Sequence, residues 1–389
     1  MYLFVPQNAE LLAEYEHSWS LRDVFAPNGD PAPGIVTTHD DFAISWTADE
    51  AAEKVERLLA TATEAQAREL FKLCSQDQWR YTRAKQELAD GAWRERIVPI
   101  LYRPFDIRWT VYDRNVAVHR RERVSDQLVF KNNVALITSR QRSLASEGWA
   151  NVFVTTKLIE SCSISNKTKE INYALPLWLY AKEAMDLLDA SPREKITNLA
   201  PEFIAALKTA IGQKITPEDT LAYIYALLYT PSYRTRYADF LKRDFPRVQL
   251  TNNRQLFLQM VGIGHELIAL HTMKTKLSRI TRYDIVGSNE VMKVRYAEPI
   301  PATPDRLAQA GRVYINSEQF FDGVPQAVWS TYIGGYCVAD KWLKDRKGRL
   351  LNFHDIEHYH HIVAALARTL ELQTELDTAI EQAGGWPLQ

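Results

Sequence analysis

The hydrophobic and polar positions of this chain change period several times along its length, and each change predicts a change of element. YLFVP at 2–6 is a short apolar strand-like run, and NAELLAEYEHSW at 8–19 has helical spacing. A strand at a terminus needs a partner, so residues 1–20 read either as the tail of something larger or as a plain edge strand. A Pro/Gly-rich loop at 26–34, APNGDPAPG, separates them from the alternating, strand-like IVTTHDDFAISW at 35–46. From Thr47 the period becomes helical. TADEAAEKVERLLA sets Ala51, Val55, Leu58 and Leu59 on one face, and Thr47 with Glu50 three residues on reads as a capping box. TEAQARELFKLC and QWRYTRAKQELADGAW continue the helical pattern, completing a helical spacer over 21–95.

Residues 96–182 are β-rich in pattern: IVPILY, DIRWTVY, NVALIT and NVFVTT are short runs of β-branched and aromatic residues broken by Pro, Asn and charged turns. RRERVSDQLVFKN between them predicts a short helix, with Val124, Leu128 and Val129 inward and Arg120, Arg121 and Arg123 outward. Helical spacing returns over 183–275, in 183–189, PEFIAALKTAI, the strongly periodic EDTLAYIYALLYTPSYRTRYADFLKRDFP and NRQLFLQMVGIGHELIALHTM. Gly262 and Gly264 in the last of these predict close helix packing. Over 276–389 come the strand-like VMKVRYAEP, RVYIN and AVWSTYIGGYCV with PATPDR as a turn, the basic KWLKDRKGRLL, and a long helix from Phe353. The pattern predicts an α+β fold: a helical spacer, then a mixed α/β domain of short strands with an inserted helical subdomain. No internal repeat is visible.

Composition places the chain in the globular class, with 46% hydrophobic and 24% charged residues among 389. A formal net charge of −1 means that any anionic partner is held by a local patch. Such a patch exists. Between Arg94 and Glu147 stand eleven basic residues (Arg94, Arg96, Arg103, Arg108, Arg114, Arg120, Arg121, Arg123, Lys131, Arg140, Arg142) against six acidic ones (Glu95, Asp106, Asp113, Glu122, Asp126, Glu147). Cys74, Cys162 and Cys337 lie far apart, which suggests neither a disulfide framework nor a thiolate metal site and makes a reduced, cytoplasmic setting the default. No apolar run is long enough for a membrane helix, and the N-terminus has no signal-peptide pattern.

Catalytic signatures are missing from the sequence. It has no phosphate-cradling glycine loop and no G-x-S-x-G elbow, and His265 and His271 are six residues apart where a zinc-protease helix needs four. His358 and His361 share a helix face without a third ligand nearby, so no metal site is expected. Arginine can bond guanine O6 and N7 bidentately, and Gln or Asn does the same with adenine. Arg140, Gln141 and Arg142 follow directly on the strand-like NVALITS, and Ser165, Asn166, Lys167 and Lys169 stand together in a loop-like stretch. These side-chain types contact base edges and phosphates. The same composition also fits surface ion pairs around an aromatic core.

YRPFDIRW, RRERV, NVALITSRQ, the VFVTTKLIES…SNK…YALPLWLY series, YIYALLYTPSYRTRYADFLKRDFPR and VWSTYIGGYCVADKWLKDRKGRLL follow one another from about Ile97 onward. In this order they resemble the C-terminal target-recognition region of type ISP restriction-modification enzymes and adenine-specific DNA methyltransferases. The resemblance makes YLFVP the exit from a methyltransferase-like domain over 1–20. It implies a reader that docks along duplex DNA while a separate methyltransferase, with its S-adenosylmethionine, extrudes an adenine. This sequence lacks the family's N-P-P-Y motif, cofactor loop, helicase motifs and nuclease, so it reads as a fragment, split subunit or gene remnant without catalysis or cofactor of its own. The roles implied are Arg140, Gln141, Arg142 and Asn166 at base edges, and Arg120, Arg121, Arg123, Lys167, Lys341, Lys344, Arg346 and Lys347 at phosphates. Tyr336 and Trp342, after Gly334 and Gly335, are candidates to lie against the duplex. Arg103, Asp106 and Arg108 read first as a structural corner. The competing reading is a protein-interaction subunit that docks a separate methyltransferase through the helices of 183–273 and the C-terminal helix. RNA binding is weaker, since no RNA-module signature is present.

Overall fold

The computed structural model describes residues 9–74, 79–142, 148–167, 170–181, 195–212, 214–302 and 308–388. The spacer forms the helices Ala48–Ala60, Glu64–Phe71 and Tyr81–Leu88, which bury Ala51, Val55 and Leu58 against Phe42, Phe71, Trp79 and Trp93. The Thr47 side chain accepts from the Glu50 N–H at 3.0 Å, but the Glu50 carboxylate returns to the Trp46 N–H at 2.8 Å, one residue earlier than the expected box. The alternating stretch 35–46 is not a strand. It makes isolated bridges from Ile35 to Glu160, Val36 to His119 and Ser45 to Trp109, with a short helix at Asp40–Ala43 between them. The Thr37 hydroxyl bonds Asp40, and the buried His39 ring sits 2.8 Å from the Val116 carbonyl, so side chains take the backbone away from an extended ladder.

The four apolar runs of the middle region are strands. Ile97–Arg103 pairs with Asp106–Val111 on one side and Leu158–Ile159 on the other. A second, four-stranded sheet has the order Ala32–Pro33, Asn172–Pro176, Ala135–Ser139, Val152–Thr155, antiparallel throughout. Residues 120–132 contain one helical turn, Glu122–Ser125, with Val124 and Leu128 buried as the pattern predicts.

The periodic stretch 218–246 divides into Pro217–Tyr229, Pro231–Arg236 and Ala238–Leu241, because Pro231 disfavours helical geometry at Thr230, which is extended at φ −66° and ψ 120°. Every residue from Thr220 to Tyr229 is buried, mainly against the helix Arg254–His271. Gly264 makes that approach possible: a Cβ there would stand 2.0 Å from the Ala222 carbonyl oxygen, whereas Gly262 faces open space. Gly264→Ala is therefore expected to cost about 1–3 kcal/mol in a urea titration, overpacking outweighing alanine's better helix propensity. An unchanged midpoint would show that the two helices separate freely.

The stretch 327–338 is a helical turn, Gln326–Trp329, followed by the hairpin Tyr332–Ile333 and Tyr336–Cys337. The last helix, Phe353–Gln382, starts from a full capping box between Asn352 and Asp355. One continuous core joins Tyr15, the strand residues Ala135, Leu136 and Ile137, the helices Pro217–Tyr229 and Arg254–His271, and the last helix. The helix Ala9–Glu16 docks here, with Glu14 accepting from Arg236 at 2.8 and 2.6 Å and Tyr15 stacked on Phe240. The expected strand at 2–6 and helix at 183–189 lie outside the described residues. The fold is α+β. Among the described residues no helix is long and apolar enough to cross a membrane.

Candidate nucleic-acid interface

In the four-stranded sheet Ser139 pairs with Asn172 and Thr138 with Val152. The carboxyl end of the central strand and the amino ends of its two neighbours therefore share one end of the sheet. All five residues of Ala135–Ser139 are buried, so the chain leaves this end from a fixed backbone. Arg140 and Gln141 are the first residues out and both are exposed, Arg140 bonding Asp244 at 2.9 Å. Arg142 corrects the expectation that the three side chains act together. It is 7% exposed, and its N–H bonds the Lys242 carbonyl at 3.1 Å. Burial pulls its guanidinium below the usual range while the carboxylate of Glu170 pulls the other way.

Glu170 also organises the neighbouring loop. Its Oε2 accepts from the Ser165 hydroxyl at 2.6 Å and from Asn151 Nδ2 at 3.1 Å, and the same Asn151 amide donates to Ser139 Oγ at 2.8 Å. Asn172 Oδ1 accepts from the N–H of Ile164 and of Ser165. With Ser165 fixed inside, Asn166 and Lys167 emerge exposed beside the same sheet end; Lys169 lies outside the described residues. The glycines after Ile333 serve close approach here. Gly334, at φ +58°, would carry a Cβ 1.9 Å from the Ile164 carbonyl oxygen, and one on Gly335 would stand 2.7 Å from Ser165 Oγ and 3.6 Å from Lys167 Cε.

Both aromatic candidates belong to the interior. Tyr336 is 5% exposed and donates to the Cys162 carbonyl at 2.9 Å, between Arg103 and Lys341. Trp342 is packed under Arg346, 3.4 Å from ring centre to guanidinium, and against Tyr359. Arg346 is likewise no surface cation: it is buried on Asp106 at 2.9 Å, where Arg108 also bonds. In contrast, Lys344 and Lys347 are exposed and Lys341 half-buried, Lys344 pairing with Asp340 at 2.6 Å and Lys341 with Asp345. The helix of Lys341 and Lys344, Val338–Lys344, continues from the hairpin that leans on the Asn166 loop, and Lys347 follows it.

Arg120, Arg121 and Arg123 lie elsewhere. Their helical turn packs on Ala32–Pro33 and Asn172–Pro176, and Gln127 just beyond it bonds the Tyr180 N–H at 2.7 Å, at the opposite end of the sheet from Arg140. Arg123 donates to the Asn28 and Asp30 carbonyls and Arg120 to Glu122, while Arg121 is exposed. Sequence patterning missed Glu170, Asn151 and Ser139. The signal available was a polar residue within or beside an apolar run, at a position that the sheet buries. Among the described residues no three His, Cys, Asp or Glu side chains group as a metal site, and His358 and His361 instead contact the Phe105 and Thr275 carbonyls at 2.7 and 2.6 Å.

One family model matches the sequence, and several solved structures share the fold. The model of the Type ISP C-terminal specificity domain matches residues 30–375. The ATP-dependent Type ISP restriction-modification enzyme LlaBIII bound to DNA superposes with a TM-score of 0.67 at 15% identity, over 93% of this chain and 24% of that one. A DrdV–DNA complex solved by cryo-electron microscopy gives 0.68 at 19% identity, over 92% of this chain and 38% of that one. A nuclease-deletion mutant of the Type ISP enzyme LlaGI, in complex with a DNA substrate mimic, gives 0.63 at 16% identity, over 93% and 34%. At these identities the likeness is one of fold, and this chain spans 24% to 38% of those structures' length. No curated protein matches the sequence. With the matched region running from within the Pro/Gly loop into the last helix, the chain belongs to the family of Type ISP C-terminal specificity domains.

Proposed function

We propose that this chain reads a specific sequence in double-stranded DNA for a restriction-modification or adenine-specific methyltransferase system, the chemistry and S-adenosylmethionine being supplied by a methyltransferase part. The observation that carries this reading is the convergence of Arg140, Gln141 and Asn166, all exposed, at one braced end of the sheet. Side chains on backbone fixed in this way hold the register that base discrimination needs. Lys167 is the phosphate contact beside them, and the exposed Lys344 and Lys347, with the half-buried Lys341, are further phosphate contacts on the segment after the hairpin. Arg142, Arg346, Tyr336 and Trp342 support the site from inside. Arg121 and its neighbours, at the far end of the sheet, serve the DNA only where the duplex extends that far. The competing docking reading would use the helices of 183–273 and the last helix; Pro217–Tyr229 is buried from Thr220 to Tyr229, and the exposed apolar side chains on the others, Leu258 and Phe353, stand singly.

Arg140→Ala combined with Gln141→Ala is expected to lower the preference for the selected sequence over unrelated duplex by about ten- to a hundredfold, since one good bidentate contact is worth about 1–3 kcal/mol of discrimination. Binding to unrelated duplex is expected to change far less. Fluorescence anisotropy with both duplexes measures the ratio. An unchanged ratio removes these two residues from the reading surface.

A further inference from the structure

We infer that Glu170 is a positioning residue for sequence discrimination, fixing the Arg140–Gln141 segment and the Asn166–Lys167 loop at one spacing. The inference rests on the reading proposed above and adds a role for a buried residue behind the exposed ones. Glu170 is 1% exposed, so its carboxylate is answerable only to protein groups. From the loop it takes the Ser165 hydroxyl at 2.6 Å, and its own N–H closes the loop by donating to the Lys167 carbonyl at 3.0 Å. From the sheet end it takes Asn151 Nδ2 at 3.1 Å, and that amide is tied to Ser139, the residue before Arg140. Its charge also attracts the buried guanidinium of Arg142, the residue after Gln141. One carboxylate thus holds the residue before each exposed pair, Ser139 through Asn151 and Ser165 directly.

The geometry behind the loop strengthens the assignment. Gly334 and Gly335 press the hairpin onto Ile164 and Ser165 with no room for a Cβ, and the Gly334 N–H bonds the Ala150 carbonyl at 2.7 Å, next to Asn151. Ser165 is therefore clamped between the hairpin and Glu170, and Asn166 follows directly on a fixed residue. Asn151 Oδ1 has no partner among the described residues, so the loop is held to the sheet end by the Nδ2 bonds of Asn151 and the Ser165 bond to Glu170, and removing any of these loosens it.

The test is a selection from a randomised duplex library with the full chain, run for the native protein, Glu170→Gln, Ser165→Ala and Asn151→Ala, with thermal melting of each. The expected result is that a variant retaining a cooperative melt loses about tenfold in the ratio of affinity for the native consensus to affinity for unrelated duplex. Its affinity for unrelated duplex at low salt is expected to stay within about twofold, because phosphate contacts carry that binding. A merely structural role would lower the melting temperature and leave the ratio unchanged, which would overturn the inference. If Glu170→Gln does not fold, the two alanine variants decide on the same ratio. Should the native chain itself enrich no consensus, the DNA-reading proposal fails; a native consensus kept by all folded variants fails the Glu170 assignment alone.

Discussion

Asp106→Ala is expected to remove about 3–5 kcal/mol of folding stability, the usual consequence of stripping one partner from a buried charge network. Asp106 is fully buried and receives Arg108 Nη2 at 2.8 Å and Arg346 Nη2 at 2.9 Å. Both guanidiniums are buried too, Arg108 lying 3.3 Å from the centre of the Trp46 ring and Arg346 3.4 Å from that of Trp342. Burial pushes the Asp106 carboxyl up, but the two arginines more than offset it and hold it below the usual carboxylate range. Without the carboxylate two cations would face each other in the interior, with Asp355 3.8 Å from Arg346 Nε. The bond also ties the strand Asp106–Val111 to a residue 240 positions later, so its loss loosens the hairpin and the C-terminal part together. Urea titration of the variant reads the effect directly, and a loss under about 1 kcal/mol would mean that the aromatic packing holds this junction without the charges.

Acid is expected to weaken the fold through His271. This imidazole lies in the core between Phe153, Tyr225 and Tyr229, and burial first, then the nearby Arg234 charge, pushes it down to about 3. Its hydrogen bonds fix the neutral form. Thr369 donates its hydroxyl to the Ala365 carbonyl, so it accepts at 3.0 Å from His271 Nε2, and Tyr225 donates to Nδ1 at 2.6 Å. A proton on Nδ1 would meet the Tyr225 donor. The ordinary imidazole titrates near 6.5 in the unfolded chain, so from pH 6.5 down to about 3 the unfolded state takes up a proton that the folded state refuses. Stability from this group is complete at neutral pH and falls as the pH drops, by about 1.4 kcal/mol per unit, or about 2 kcal/mol between pH 6.5 and 5. His39, His358 and His360 are shifted in the same direction by burial, so the contribution of His271 is read by comparison with a variant. His271→Gln should be less stable at pH 7 and show a shallower acid slope, by about one proton; equal slopes would place the acid sensitivity elsewhere.

Much of the fold was legible because periodicity is a local property. The four apolar runs became strands, the turn at 122–125 kept Val124 and Leu128 inward, and Gly264 marked a real helix contact. The site was legible only where exposure follows from local position. Arg140 and Gln141 leave a buried strand, and Asn166 and Lys167 tip a loop, so both pairs reach the surface as expected. Arg142 and Arg346 look like any other arginine in a basic run, yet both are buried, and Arg346 is drawn inside by Asp106, 240 positions earlier. Gly334 and Gly335 serve contact with Ile164 and Ser165, residues far away in sequence. The separation of Arg120–Arg123 from Arg140 depends on sheet order, with Asn172–Pro176 pairing beside Ala135–Ser139, and no residue pattern announces that order.

The most direct test of the DNA-reading account is selection by the full native chain from a randomised duplex library, followed by affinity measurements on the selected and an unrelated duplex across a salt series. The account predicts one consensus, bound about a thousandfold or more tighter than unrelated sequence, with affinity for both falling steeply as salt rises. Equal affinity for the two duplexes, or no enriched sequence at any salt concentration, would contradict it.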